Sequence, residues 1–112
     1  MINKDILLEG LDNLGSRDYQ ERFWLKKEPT GIYTFDEGVC YVFDDSNLER
    51  ARDNGYLGDN FSKLLCRKVC ELRALVKKIP LEASEPEIFH HPAMEKIRKL
   101  SNELKVLFSE EL

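Results

Sequence analysis

The sequence lacks the features of a membrane-spanning protein and of a secreted, disulfide-bonded one. No apolar run approaches the roughly 18 residues needed to cross a bilayer, and the N-terminal residues lack the basic-then-apolar layout of a signal peptide. Cys40, Cys66 and Cys70 are an odd number of thiols without the spacing of a disulfide framework. Such thiols are typical of a reducing compartment. We therefore expect a cytoplasmic protein without a membrane partner.

Common catalytic and nucleotide-binding motifs are also missing. The chain has no G-x-S-x-G, P-loop, G-x-G-x-x-G or H-E-x-x-H pattern. Cys66 and Cys70 are one helical turn apart, but His90 and His91 follow twenty residues later and need not face these thiols. We expect no enzyme activity, no metal and no cofactor. Whether these cysteines and histidines have a chemical role stays open, and a thiol- and histidine-dependent enzyme remains an alternative.

The composition is that of a small globular protein. Of the 112 residues, 42% are hydrophobic and 34% are charged. A chain of this length buries about two-thirds of the surface that it exposes when unfolded, which is enough for one hydrophobic core. We therefore expect a single domain over residues 1–112.

The strongest periodic pattern runs from Asn60 to Ile79 and predicts a long amphipathic helix. At 100° per residue its apolar side chains fall within an arc of about 140°. Asp59 or Asn60 can cap its start, and Pro80 ends it. A helix of about 30 Å nearly spans a domain of this size, so we expect the other helices to pack around it. The residues of the arc are Phe61, Leu64, Leu65, Val69, Leu72, Leu75, Val76 and Ile79.

Capping and stop signals divide the rest of the chain into further helices. The predicted segments are a helix from near Asn3 to Gly15, one from Arg17 to Lys27 with Ser16 as N-cap, a short one opened by a Ser46-x-x-Glu49 box and ending at Asn54-Gly55, a loop over 55–59, a turn capped by Ser84, and a last helix from His91-Pro92 to about Ser109. We expect Trp24 to lie in the core. The fold class is mainly α, with five or six helices packed around residues 60–79.

Residues 31–43 fit two structures. Their β-branched and aromatic residues, with Asp36-Glu37-Gly38 as a turn, indicate a short β-hairpin, which would make the fold α+β. The capping box Thr34-x-x-Glu37, followed by apolar residues at helical spacing, indicates a helix. We favour the helix because the neighbouring segments are helical, and the hairpin remains the alternative.

Charge is distributed unevenly between the two halves of the chain. Residues 1–59 carry 7 Lys and Arg against 13 Asp and Glu, whereas residues 60–112 carry 10 against 8. Acidic segments that pair with basic helix faces within the fold would explain this difference, and so would an acidic surface that binds a basic partner. The isoelectric point near 5.2 argues against a nucleic-acid partner, because domains that bind nucleic acid normally have a high isoelectric point.

The leading functional hypothesis is a non-catalytic, acidic protein-binding module that occludes a basic protein partner, as immunity and antitoxin proteins do. Carboxylates and tyrosines together suit a wet, charge-complementary interface. One alternative is a self-associating structural protein, a homo-oligomer that pairs through the last helix or Trp24. Another is a DNA-binding regulator that uses Lys63, Arg67, Lys68, Arg73, Lys77 and Lys78. The predicted partner-binding residues are Asp36, Glu37, Tyr41, Asp44, Asp45, Glu49, Asp53 and Tyr56.

Overall fold

The computed structural model describes residues 2–27 and 34–112, and each regular element within these ranges is helical. Two of the helices continue directly into a π-helical turn. The elements are α1 (Lys4–Gly15), α2 (Arg17–Gln20) with its π turn (Glu21–Leu25), α3 (Phe35–Cys40) with its π turn (Tyr41–Asp45), α4 (Leu48–Asp53), α5 (Tyr56–Asn60), α6 (Lys63–Val76), α7 (Glu85–Phe89) and α8 (Ala93–Glu111).

The mainly α prediction is confirmed, and the described ranges hold eight α-helices where five or six were expected. The helical alternative for residues 31–43 is correct over its described part, because Phe35 begins α3 and the following residues stay helical through Asp45. The hairpin therefore does not form there. Residues 31–33 lie outside the described ranges.

Small polar side chains begin several helices by accepting a backbone N–H bond. The caps predicted at Ser16, Thr34 and Ser84 are confirmed, and Ser84 forms a full capping box with Glu87. The box predicted at Ser46 does not form. The Ser46 side chain is buried, and its hydroxyl donates to the Val42 carbonyl (2.5 Å) and accepts from the Leu48 N–H (3.2 Å).

The helix predicted over residues 60–79 is shorter in the structure and is capped by Ser62. The Ser62 hydroxyl accepts from the Leu65 N–H (3.1 Å), and Glu111 accepts from the Ser62 N–H (2.8 Å). These bonds fix the start of α6 at Lys63. The residues before it, which we predicted as a loop, form the separate helix α5.

α8 packs against two other long helices, α1 on one side and α6 on the other. On one side Asn102 donates to the Gly15 carbonyl of α1 (3.1 Å), and Lys105 pairs with Asp12. On the other, Glu103 pairs with Lys68 of α6 (2.6 Å). α6 buries only Leu65, Val69 and Leu72, so it covers one face of α8 rather than forming the centre of the fold.

α1 and α3 cross at glycines, which allows their backbones to approach closely. A Cβ atom at Gly10 would lie 2.8 Å from Val42 Cγ2, and one at Gly38 would collide with the side-chain amide of Asn13. Asn13 Oδ1 also accepts from the Trp24 indole N–H (3.0 Å). Trp24 is 1% exposed, so its assignment to the core is confirmed.

No helix in the described ranges is long and apolar enough to span a membrane. The described residues have a radius of gyration of 13.4 Å.

Candidate functional site

α3 and its π turn carry most of the predicted partner-binding residues on their outer side. Thr34 caps this element, and the residues on its inner side, Phe35, Gly38, Val42 and Phe43, are buried. Gly38 and Val42 lie against α1. The π turn contains one more residue per turn than an α-helix, so it changes which side chains face outward. We refer to the outward residues Asp36, Glu37, Tyr41, Asp44 and Asp45 as the acidic surface.

The four carboxylates of the acidic surface are exposed to solvent, whereas Tyr41 is partly buried beside them. Within the described part of the chain none of the four forms an ion pair. The only side-chain bond of Glu37 described there comes from the Thr34 hydroxyl (3.2 Å). Like charges on one short element repel one another, and a positively charged partner would relieve that repulsion.

Glu49, another of the predicted binding residues, already forms ion pairs within the fold. It bridges Arg52 (2.9 Å) and Arg73 (2.8 Å), so its carboxylate ties α4 to α6. Asp53 is exposed and lies 3.4 Å from Arg52. Tyr56 is partly buried, with its ring against Phe61. Neither Asp53 nor Tyr56 belongs to α3: Asp53 ends α4 and Tyr56 begins α5.

The electrostatics of the acidic surface are reflected in Cys40, which lies among its carboxylates. Burial raises the pKa of the Cys40 thiol, and the negative charges of Asp44, Asp45 and Asp36 raise it further. The reactive thiolate form is therefore disfavoured at neutral pH. Burial, followed by the nearby Cys70, also raises the pKa of Cys66.

The cysteines and histidines contact different parts of the structure. The Cys66 thiol faces the Leu57 carbonyl (3.5 Å), the His90 ring stacks edge-on against Phe89, and His91 Nδ1 accepts from the Ala93 N–H (3.1 Å). Cys70 is exposed. Among the residues that the structure describes, no three His, Cys, Asp or Glu side chains are grouped as metal ligands would be.

Two adjoining depressions run between α3 and the end of α6, and the sequence patterns did not reveal them. The larger, of about 340 Å³, lies beside residues 76–81, and the smaller, of about 220 Å³, continues toward α4. Val39, Val76 and Lys77 line both of them. Asp36 borders the larger depression and Asp44 the smaller, so the acidic surface forms one edge of a partly apolar groove.

A third depression, of about 470 Å³, lies between α6 and α8 and carries both signs of charge. It is lined by Lys68, Lys96 and Lys99 together with Glu71 and Glu103. Two of the six basic residues considered for DNA binding are already paired, Lys68 with Glu103 and Arg73 with Glu49. The lining of this depression therefore combines positive and negative charges and does not form a uniformly positive surface for an anionic partner.

Comparisons with known proteins add no family to these observations. The chain matches no protein-family model, and neither a search of curated proteins nor a search of solved structures returned a significant match.

Proposed function

We propose that the protein is a non-catalytic module that binds a basic protein partner through the acidic surface. The observation that carries this proposal is the set of four exposed carboxylates on one short element, none of them in an ion pair within the described part of the chain.

The support of the acidic surface by the core favours this function. Its inner residues are buried, and Gly10 and Gly38 bring its helix into close contact with α1. A rigid surface loses little conformational entropy when it binds, so more of the interaction energy appears as affinity. The raised pKa of Cys40 fits a surface that uses carboxylates rather than a reactive thiol.

Charge reversal tests this proposal. Asp44→Lys with Asp45→Lys should reduce capture of the partner from cell extract and slow association by about tenfold or more, because electrostatic attraction acts mainly on the association rate. Both residues are exposed, so the melting temperature should change little. Glu49→Lys should instead lower the melting temperature, because it places a cation beside Arg52 and Arg73.

The matched control reverses two exposed carboxylates elsewhere, Glu9→Lys with Glu110→Lys, which gives the same change in net charge. This variant should capture the partner as well as the wild type does. Equal losses in both variants would show that only the overall charge matters. Unchanged capture by the Asp44 and Asp45 variant would remove the acidic surface as the binding site.

A further inference from the structure

Leu81 is the most exposed large apolar side chain in the described part of the protein. It is 94% accessible to solvent and follows Pro80 in the turn after α6. The apolar residues two positions away on either side are less exposed, since Ile79 is buried and Ala83 is partly buried, whereas the adjacent Pro80 and Glu82 are exposed with Leu81. The residue therefore projects from the molecule as a single apolar knob.

The larger depression between α3 and residues 76–81 lies directly beside this knob. Phe35, Val39, Val76 and Pro80 contribute apolar lining, and Leu81 stands at its edge. A knob and an apolar hollow side by side on one molecule are what a self-complementary, isologous interface requires, because each copy then supplies both halves of the contact.

The charges at the depression are self-complementary as well. Asp36 stands on the α3 wall and Lys77 on the opposite wall, and neither forms an ion pair within the residues described. In a dimer whose two-fold axis runs along the depression, the α3 wall of one copy lies opposite the wall formed by residues 76–81 of the other. Lys77 of each copy then faces Asp36 of the other, and each Leu81 is directed toward the opposite α3 wall.

We propose that this depression and Leu81 form the interface of a homodimer, with a second copy of the chain as the occupant. Leu81 of one copy packs against Phe35 and Val39 of the other, and two Asp36–Lys77 pairs flank the contact. This inference goes beyond the proposed function. It uses the edge of the acidic surface at Asp36 and leaves Asp45, which lines neither depression, open to a partner.

Sedimentation of the full chain across micromolar concentrations tests the dimer. The wild type should show a concentration-dependent monomer–dimer equilibrium. Leu81→Asn should weaken the dimer by at least about tenfold, because interface energy concentrates in apolar residues that fill a pocket. Val106→Asn is the matched control, since Val106 is also an exposed apolar residue, at 56%, but lies on α8. It should leave dimerisation unchanged.

A charge-swap experiment fixes the orientation of the two copies. Asp36→Lys and Lys77→Glu should each weaken self-association, because each places like charges opposite one another. Mixing these two variants should restore association as a heterodimer, because all facing charges are then opposite in sign. The double variant should also dimerise. Binding of a foreign partner would not produce this pattern of recovery.

The dimer proposal is overturned if the wild type stays monomeric across the concentration range or if Leu81→Asn has no effect on an observed dimer. Association of each single charge variant with itself at wild-type strength would overturn the proposed orientation. Circular dichroism and thermal melting should show that Leu81→Asn is folded, as expected for an exposed residue. Leu81→Asn alters no carboxylate. If the dimer proposal fails, the capture experiment with the Asp44 and Asp45 variant therefore still tests the proposed function separately.

Discussion

Among single residues, Glu49 and Asp45 show that two carboxylates close together in the sequence can have different surroundings in the fold. Both are acidic residues in the same stretch of chain. The Glu49 carboxylate reaches Arg52 and Arg73 and contributes to packing, whereas Asp45 faces solvent. Which carboxylate can serve a partner depends on the position of Arg73, a residue 24 positions away from Glu49. Sequence spacing within the acidic half carries no information about that contact.

Glu85 provides a pH-dependent prediction at the same scale. It accepts from the Phe35 N–H (3.1 Å) and so satisfies a donor at the start of α3. Burial raises the pKa of Glu85 above its ordinary value of 4.5, although the Phe35 bond opposes that shift. The folded protein therefore holds this proton more tightly than the unfolded chain does. The stability contributed by Glu85 is full at acidic pH and falls as pH rises from 4.5 through the folded pKa.

Glu85→Gln keeps an acceptor for the Phe35 N–H but removes the ionisation. Its stability relative to the wild type should therefore rise as pH increases from about 4 to about 7. Urea unfolding midpoints across this range measure the effect. Glu82→Gln, at an exposed neighbour, corrects for the loss of one negative charge. A difference between Glu85→Gln and the wild type that does not change with pH would contradict the prediction.

At the scale of helices, the crossing of α1 and α3 depends on glycine. Gly38→Ala should destabilise the protein by about 1 to 3 kcal/mol, because the new methyl group collides with the buried Asn13 side chain and the crossing must open. Gly58, within α5, has open space around its Cβ position. Gly58→Ala should be neutral or stabilising by up to about 1 kcal/mol, as expected from helix propensity. Chemical denaturation of both variants measures the contrast, and equal effects would contradict it.

Across the whole molecule, one buried polar network joins α1, α2, α7 and α8. Gln20 donates to the Asn13 and Leu14 carbonyls (2.9 Å each) and accepts from Arg98 Nε (2.8 Å). Arg98 also donates to the Phe89 carbonyl (2.9 Å). Burial, with the nearby Arg17, lowers the pKa of Arg98. The guanidinium groups of Arg17 and Arg98 lie over the Phe89 ring, 4.6 Å and 5.0 Å from its centre, and the cation–π interaction of Arg98 partly compensates for burying its charge.

Arg98→Lys should therefore cost about 1.5 to 3 kcal/mol, because one ammonium group cannot replace the planar guanidinium in both bonds. Denaturant unfolding followed by circular dichroism gives the value. Lys96→Arg, an exposed basic residue on the same helix, should change stability by less than about 0.5 kcal/mol. If the two variants behave alike, the network does not stabilise the fold as inferred.

Local interactions explain why much of the helix pattern was predictable. The caps at Ser16, Thr34 and Ser84 act over three residues, and the apolar spacing of α6 and α8 reflects contacts one turn apart. Ser46 shows where this reasoning ends. The sequence Ser46-x-x-Glu49 matches a capping box, but in the fold the Ser46 side chain is buried and its hydroxyl donates to the Val42 carbonyl. A local motif does not encode the competition with the core.

The sequence by itself determined the helical class, most helix starts and the burial of Trp24, because propensity, capping and apolar periodicity depend on neighbouring residues. Only the tertiary structure decided that α8, rather than the segment 60–79, lies between two long helices. It also decided that Glu49 is bound by Arg73 and that Leu81 projects beside an apolar depression. These features arise from contacts between residues far apart in the chain, and their geometry is set by the packing of whole helices.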